Sequence, residues 1–84
     1  MRRYFFCIRR GTSLIPDPDG ELRPSVEAAL AEAREVARDL VVNAIRTGRE
    51  IDDDQVEVQD MDGRVLGIIR LIDVLPIRKP PSGG

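Results

Sequence analysis

The chain has 84 residues, 13 Lys+Arg against 15 Asp+Glu, and 25 of its residues are Leu, Ile, Val or Phe, enough for one small folded domain and too many for a disordered chain. A domain of this size buries only about 60–65% of the surface its unfolded chain exposes, which leaves no room for a second domain and a thin margin of stability. Histidine is absent and cysteine occurs once, so His-based catalysis, His/Cys metal sites and an internal disulfide are excluded.

Residues 3–9, Arg-Tyr-Phe-Phe-Cys-Ile-Arg, are aromatic and β-branched and stop at Gly11, which predicts a first strand. Gly11-Thr12-Ser13 turns the chain into a short second strand at Leu14-Ile15, because Pro16 and Pro18 lack amide donors and forbid a longer ladder. Asp17-Pro18-Asp19-Gly20 reads as a tight turn. From Ser25 the period changes: Val26, Leu30, Ala33, Ala37, Leu40 and Ala44 recur at spacings of four and three, the stripe of an amphipathic helix. Ser25 is its natural N-cap, and Gly48 supplies the left-handed residue that ends it, so the helix spans about 26 to 47. Its apolar arc holds Ala29, Leu30, Ala33, Ala37, Leu40, Val41 and Ala44, and the alanines let it approach a sheet closely; Val42 lies among polar neighbours as a solitary exposed residue.

After a polar link at 49–54, Val56 and Val58 alternate with Gln55, Glu57 and Gln59 as a half-exposed strand requires. Asp60-Met61-Asp62-Gly63 is a hairpin turn, and residues 64–70, Arg-Val-Leu-Gly-Ile-Ile-Arg, return as the last strand. Residues 71–75 extend that strand or make one helical turn. The expectation is an α+β domain over residues 1–75, a ββαββ antiparallel sheet with one long helix packed on one face, followed by a disordered C-terminal tail at 76–84 rich in proline and glycine.

The first and last strands carry apolar residues toward both faces, with Phe5 and Cys7 opposing Tyr4, Phe6 and Ile8, and Val65 and Ile69 opposing Leu66 and Ile68. One helix covers one face. The other is then covered by residues 71–77 folding back or by a second copy of the chain, and the few apolar residues of the tail favour a homodimer. Tyr4, Phe6, Ile8, Leu66 and Ile68 are the candidate interface.

Arg2, Arg3, Arg9 and Arg10 flank the aromatic residues of the first strand, a pattern that some sheets use to stack single-stranded bases, and they are the candidate nucleic-acid contacts. A net charge of −2 and six acidic residues within 52–62 oppose that use, and the basic first strand is more simply a partner for the acidic segment. The acidic segment could hold a hard cation through carboxylate oxygens, but neither Asp17-Pro18-Asp19-Gly20 nor Asp60-Met61-Asp62-Gly63 continues as a calcium loop, and both read as turns. No metal or cofactor is expected. Serines and threonines have no neighbouring base and no glycine-rich phosphate loop occurs, so the reading is non-enzymatic.

The longest apolar runs, such as Tyr4 to Ile8, fall far short of the about 20 residues that cross a bilayer, and Arg9 and Arg10 interrupt the start before a signal peptide's apolar stretch is reached. A cytoplasmic location without membrane contact is expected, with Cys7 a small buried hydrophobe.

Arg3-Tyr4-Phe5-Phe6 with Arg9 and Gly11, then Ile15, Asp17, Gly20-Glu21-Leu22, Glu27-Ala28-Ala29, Ala33, Ala37-Arg38-Asp39-Leu40, Val56-Glu57-Val58, Asp60 and Gly63-Arg64-Val65-Leu66 resemble a family of short bacterial proteins known as a domain of unknown function. The likeness spans residues 3–70, its motifs are those of strand, turn, helix and hairpin, and Cys7 stands where the family pattern leads one to expect a polar residue. The resemblance brings no reaction, ligand or catalytic residue with it. The hairpin and the helix opening Pro24-Ser25-Val26-Glu27-Ala28-Ala29 also look like the αβ domain of antitoxins, without their DNA-binding extension. The functional expectation is a small homodimeric protein-interaction module, with an unidentified protein partner possible; the alternative is a nucleic-acid-binding regulator or antitoxin-like protein that uses the basic aromatic first strand.

Overall fold

The computed structural model describes residues 1–75. The expected α+β fold is present: one helix packs on a five-stranded antiparallel sheet. The strands are β1 (Arg2–Arg10), β2 (Ser13–Ile15), β3 (Glu21–Arg23), β4 (Asp54–Gln59) and β5 (Val65–Arg70), with α1 (Val26–Thr47) between β3 and β4. The spatial order is β2-β1-β4-β5, with β3 also paired to β1. β1 is the long central strand, and among the described residues β5 has β4 as its single neighbour.

One strand is added to the four expected. β2 pairs with Ile8–Arg10 and β3 pairs with Arg2–Tyr4, so two three-residue strands share the length of β1. Pro16 and Pro18 break the ladder between them, as their missing amides require. Asp17 fills the break: its Oδ2 accepts from the Phe6 amide at 3.1 Å and its Oδ1 from the Gly20 amide at 3.2 Å. Gly20 takes φ 65°, and a β-carbon there would stand 2.7 Å from the Tyr4 carbonyl oxygen and 2.9 Å from the Phe5 ring. Only glycine lets this turn sit so tightly against β1.

The helix matches its sequence signals at both ends. Ser25 Oγ accepts from the Ala28 amide at 3.1 Å, and Gly48 closes the last turn at φ 73°. Its buried residues are Ala29, Ala33, Ala37, Val41 and Ala44, spaced by four and three along one face. Under them lie Tyr4 and Phe6 of β1 and Val56 and Val58 of β4, with Leu30, Leu40, Leu66 and Ile69 partly buried around the margin. The side chains of Val56, Val58, Val41 and Leu71 are almost wholly removed from water, each a gain of about 1.5–3 kcal/mol. Gly67 on β5 leaves room for Leu30, with which a β-carbon at that position would collide.

Residues 71–74 form a single 3₁₀ turn that buries Leu71 completely in the same core, with Val74 and Leu75 packed at its edge. The described part of the 71–77 segment therefore folds toward the helix and leaves the opposite sheet face uncovered. Residues 76–84, expected to be a tail, lie outside the described residues.

Candidate interaction surface

Residues directly opposite one another in an antiparallel sheet share a face, and alternate residues along a strand share it too. The pairings Phe5↔Gln59, Cys7↔Glu57 and Arg9↔Gln55, extended by Gln59↔Val65, Glu57↔Ile68 and Gln55↔Arg70, lay out the face away from the helix as three rows. The rows read Phe5-Gln59-Val65, Cys7-Glu57-Ile68 and Arg9-Gln55-Arg70, and Leu14 of β2 stands beside Arg9. Val65, Ile68 and Leu14 are 45%, 50% and 40% exposed, Phe5 is half-buried against Gly20, and Cys7 is buried as expected of a small hydrophobe.

At the centre of this face sits a carboxylate where the alternation predicted an exposed one. Glu57 is buried because its neighbours close over it. Arg9 Nε donates to its Oε2 at 2.5 Å and Gln55 Nε2 donates to the same oxygen at 3.0 Å. The Arg9 guanidinium holds the Glu57 carboxyl below its ordinary range against the opposing effect of burial, with help from Gln55 and Gln59, and Glu57 in turn raises the Arg9 pKa. The face is thus largely apolar along Phe5 and Val65, neutralised at Glu57, and polar along its third row, where Arg70 is exposed.

Pairing of the same kind joins two of the four arginines of the basic block, Arg9 and Arg10, to two of the six acidic residues of 52–62, Glu57 and Asp54. Asp54, also buried, accepts from Arg49 Nη1 at 2.6 Å and lies 3.8 Å from Arg10 Nε. Asp60 turns inward on its own hairpin, its Oδ1 accepting from the amides of Asp62 and Arg64, each at 2.9 Å. Among the described residues no group of three or more acidic or sulfur side chains converges to hold a metal ion.

The structure separates the residues proposed as an interface. Tyr4 and Phe6 are buried beneath the helix, Ile8 shares their side of β1, and Leu66 packs against the same core. Ile68 alone of the five lies on the uncovered face. A β-bulge is the reason: the register steps from Val58↔Gly67 to Gln59↔Val65, leaving Leu66 as an extra residue, so sequence alternation along β5 does not report its face. Of the proposed nucleic-acid contacts, Arg9 and Arg10 are engaged by Glu57 and Asp54, and Arg3 donates to the Asp19 carbonyl at 2.8 Å, while Arg2 is exposed. Since Tyr4 and Phe6 are under the helix, the aromatic stacking platform expected of β1 is reduced to Phe5. Phe5, Leu14, Leu22, Glu57 and Val65 share the uncovered face with Ile68, Leu22 through its pairing with Arg3; the alternation along β1 and β4 could have found Phe5 and Glu57, but Leu14, Leu22 and Val65 depend on the pairing.

A family model described as Domain of unknown function (DUF6894) matches residues 3–72, and the chain belongs to that family. No curated protein and no solved structure matches.

Proposed function

Starting from membership of a family without an assigned activity, we propose that the protein is a non-enzymatic interaction module that forms a homodimer through its uncovered sheet face. The observation that carries this reading is the one-sided sheet: among the described residues the helix and the 3₁₀ turn both pack on one face, and the other presents Phe5, Leu14, Val65 and Ile68 around a neutralised Arg9–Glu57 pair. Aromatic and aliphatic side chains with paired arginine are the composition that protein interfaces favour. The free edge of β5 is a weaker candidate, because the bulge interrupts its ladder within six residues, a device that discourages edge pairing.

Four strands about 4.8 Å apart and roughly 20 Å long offer a projected area on the order of 400 Å², below the ~800 Å² per partner of a standard interface even after side-chain relief is added. The dimer therefore belongs to the smaller interface class, with dissociation in the micromolar range. Sedimentation equilibrium over a hundredfold concentration range tests it. The wild-type chain should shift from monomer to dimer, and Ile68→Asp, at an exposed position, should remain folded and monomeric. A wild-type chain that stays monomeric throughout, or an Ile68→Asp chain that dimerises with unchanged affinity, would reject this interface.

A further inference from the structure

A second surface lies at the far end of the sheet, where the start of β1, the start of α1 and the β4–β5 hairpin meet around a groove of about 760 Å³. We infer that this groove binds a small amphipathic anion, an apolar chain ending in a single carboxylate. Its volume lies in the range of small-molecule sites. Leu22, Val26, Leu66 and Met61 line it beside the buried Tyr4, and no described residue covers Met61, which is 75% exposed. An unbranched thioether is a side chain suited to irregular apolar ligands.

Charge at the rim supplies the polarity of the ligand. Arg2 and Arg64 line the groove, both are exposed, and neither forms an ion pair among the described residues. The acidic residues there do not cancel them: Asp60, whose Oδ1 accepts from the amides of Asp62 and Arg64, and Asp62 are two carboxylates against the three guanidiniums of Arg2, Arg3 and Arg64. A guanidinium presents parallel donors that match a carboxylate, so the head is placed between Arg2 and Arg64 and the tail toward Tyr4 and Leu66.

Tyr4 is the chain's single tyrosine and tryptophan is absent, so intrinsic emission reports on this groove without a label. The full chain is titrated with decanoate below its micelle concentration, with decanol and acetate as the tail without the charge and the head without the tail. Saturable change in Tyr4 emission with decanoate, at least tenfold weaker response to either control, and at least tenfold weaker decanoate binding in Arg2→Glu and Arg64→Glu are expected. Circular dichroism establishes that these surface variants are folded. No saturable response to decanoate, an equal response to decanol, or undiminished binding in both variants would each overturn the proposal. The outcome is separable from the dimer reading, because the groove uses none of Phe5, Leu14, Val65 or Ile68, although Arg3 and Leu22 of that face also line it.

Discussion

Replacing Gly20 by alanine tests the most specific packing claim of the fold, that the turn after β2 is seated directly on β1. Gly20 and Gly48 both sit in the left-handed region, at φ 65° and 73°. An alanine at either position pays about 1–2 kcal/mol for that backbone, offset by about 0.4–1 kcal/mol from a less disordered unfolded chain. At Gly48 nothing lies within 4 Å of the added carbon, so the net loss is about 1 kcal/mol or less. At Gly20 the carbon would stand 2.7 Å from the Tyr4 carbonyl oxygen, a backbone atom that can move only with β1, and overpacking of this kind adds about 1–3 kcal/mol. Gly20→Ala should therefore cost about 2–4 kcal/mol in total. Urea unfolding followed by far-ultraviolet circular dichroism measures both variants, and thermal unfolding should show a fall of about 10 °C or more at Gly20 against a few degrees at Gly48. Equal losses, within about 0.5 kcal/mol, would refute the close seating of the turn.

Three further outcomes follow from the same contacts. Asp17→Ala strips the Phe6 and Gly20 amides of their acceptor and should cost about 1–3 kcal/mol in urea unfolding, with Asp17→Asn between it and wild type; a neutral Asp17→Ala would mean that water replaces the carboxylate without loss. Ala33→Leu forces extra methylenes into a site with no exposure beneath the helix and should lose about 1–3 kcal/mol, whereas Val42→Ala, at an exposed position, should stay within about 0.5 kcal/mol of wild type. Because the folded Glu57 carboxyl titrates below its ordinary value of 4.5, its contribution is fully present above that value and is lost as pH falls through the lower folded value. The stability gap between wild type and Glu57→Gln should therefore be widest near neutral pH and close as pH falls below the ordinary carboxylate range; a gap that does not change with pH would show that Arg9 does not set the Glu57 equilibrium.

Local chemistry was enough to read most of the elements. Ser25, the four-and-three spacing from Ala29 to Ala44, and Gly48 mark the helix from end to end, because capping and amphipathic period act within a few residues. Gly11 and Gly63 mark the two hairpins for the same reason, and both take positive φ. Charge balance was legible as well, since a basic first strand and an acidic segment near β4 have opposite sign and meet as Arg9–Glu57 and Arg10–Asp54. The short strand at Glu21–Arg23 escaped because three residues carry no period, and it exists through its pairing with Arg2–Tyr4.

What belongs to the assembled chain is which side each apolar residue faces. β1 is apolar on both faces, and its sequence contains nothing that assigns Tyr4 and Phe6, rather than Phe5 and Cys7, to the helix. That assignment comes from the alanine face of α1 resting on Tyr4, Phe6, Val56 and Val58 together, a contact between segments about 25 to 50 residues apart. The bulge at Leu66 then shifts β5 so that Ile68 points away from the core while Ile69 packs against it, and the turn at Leu71 follows the core. Composition and period are local quantities, whereas sheet register and the direction in which a chain leaves its last strand are settled by the packing of distant segments. The uncovered face, and with it the candidate interface, arises from that packing.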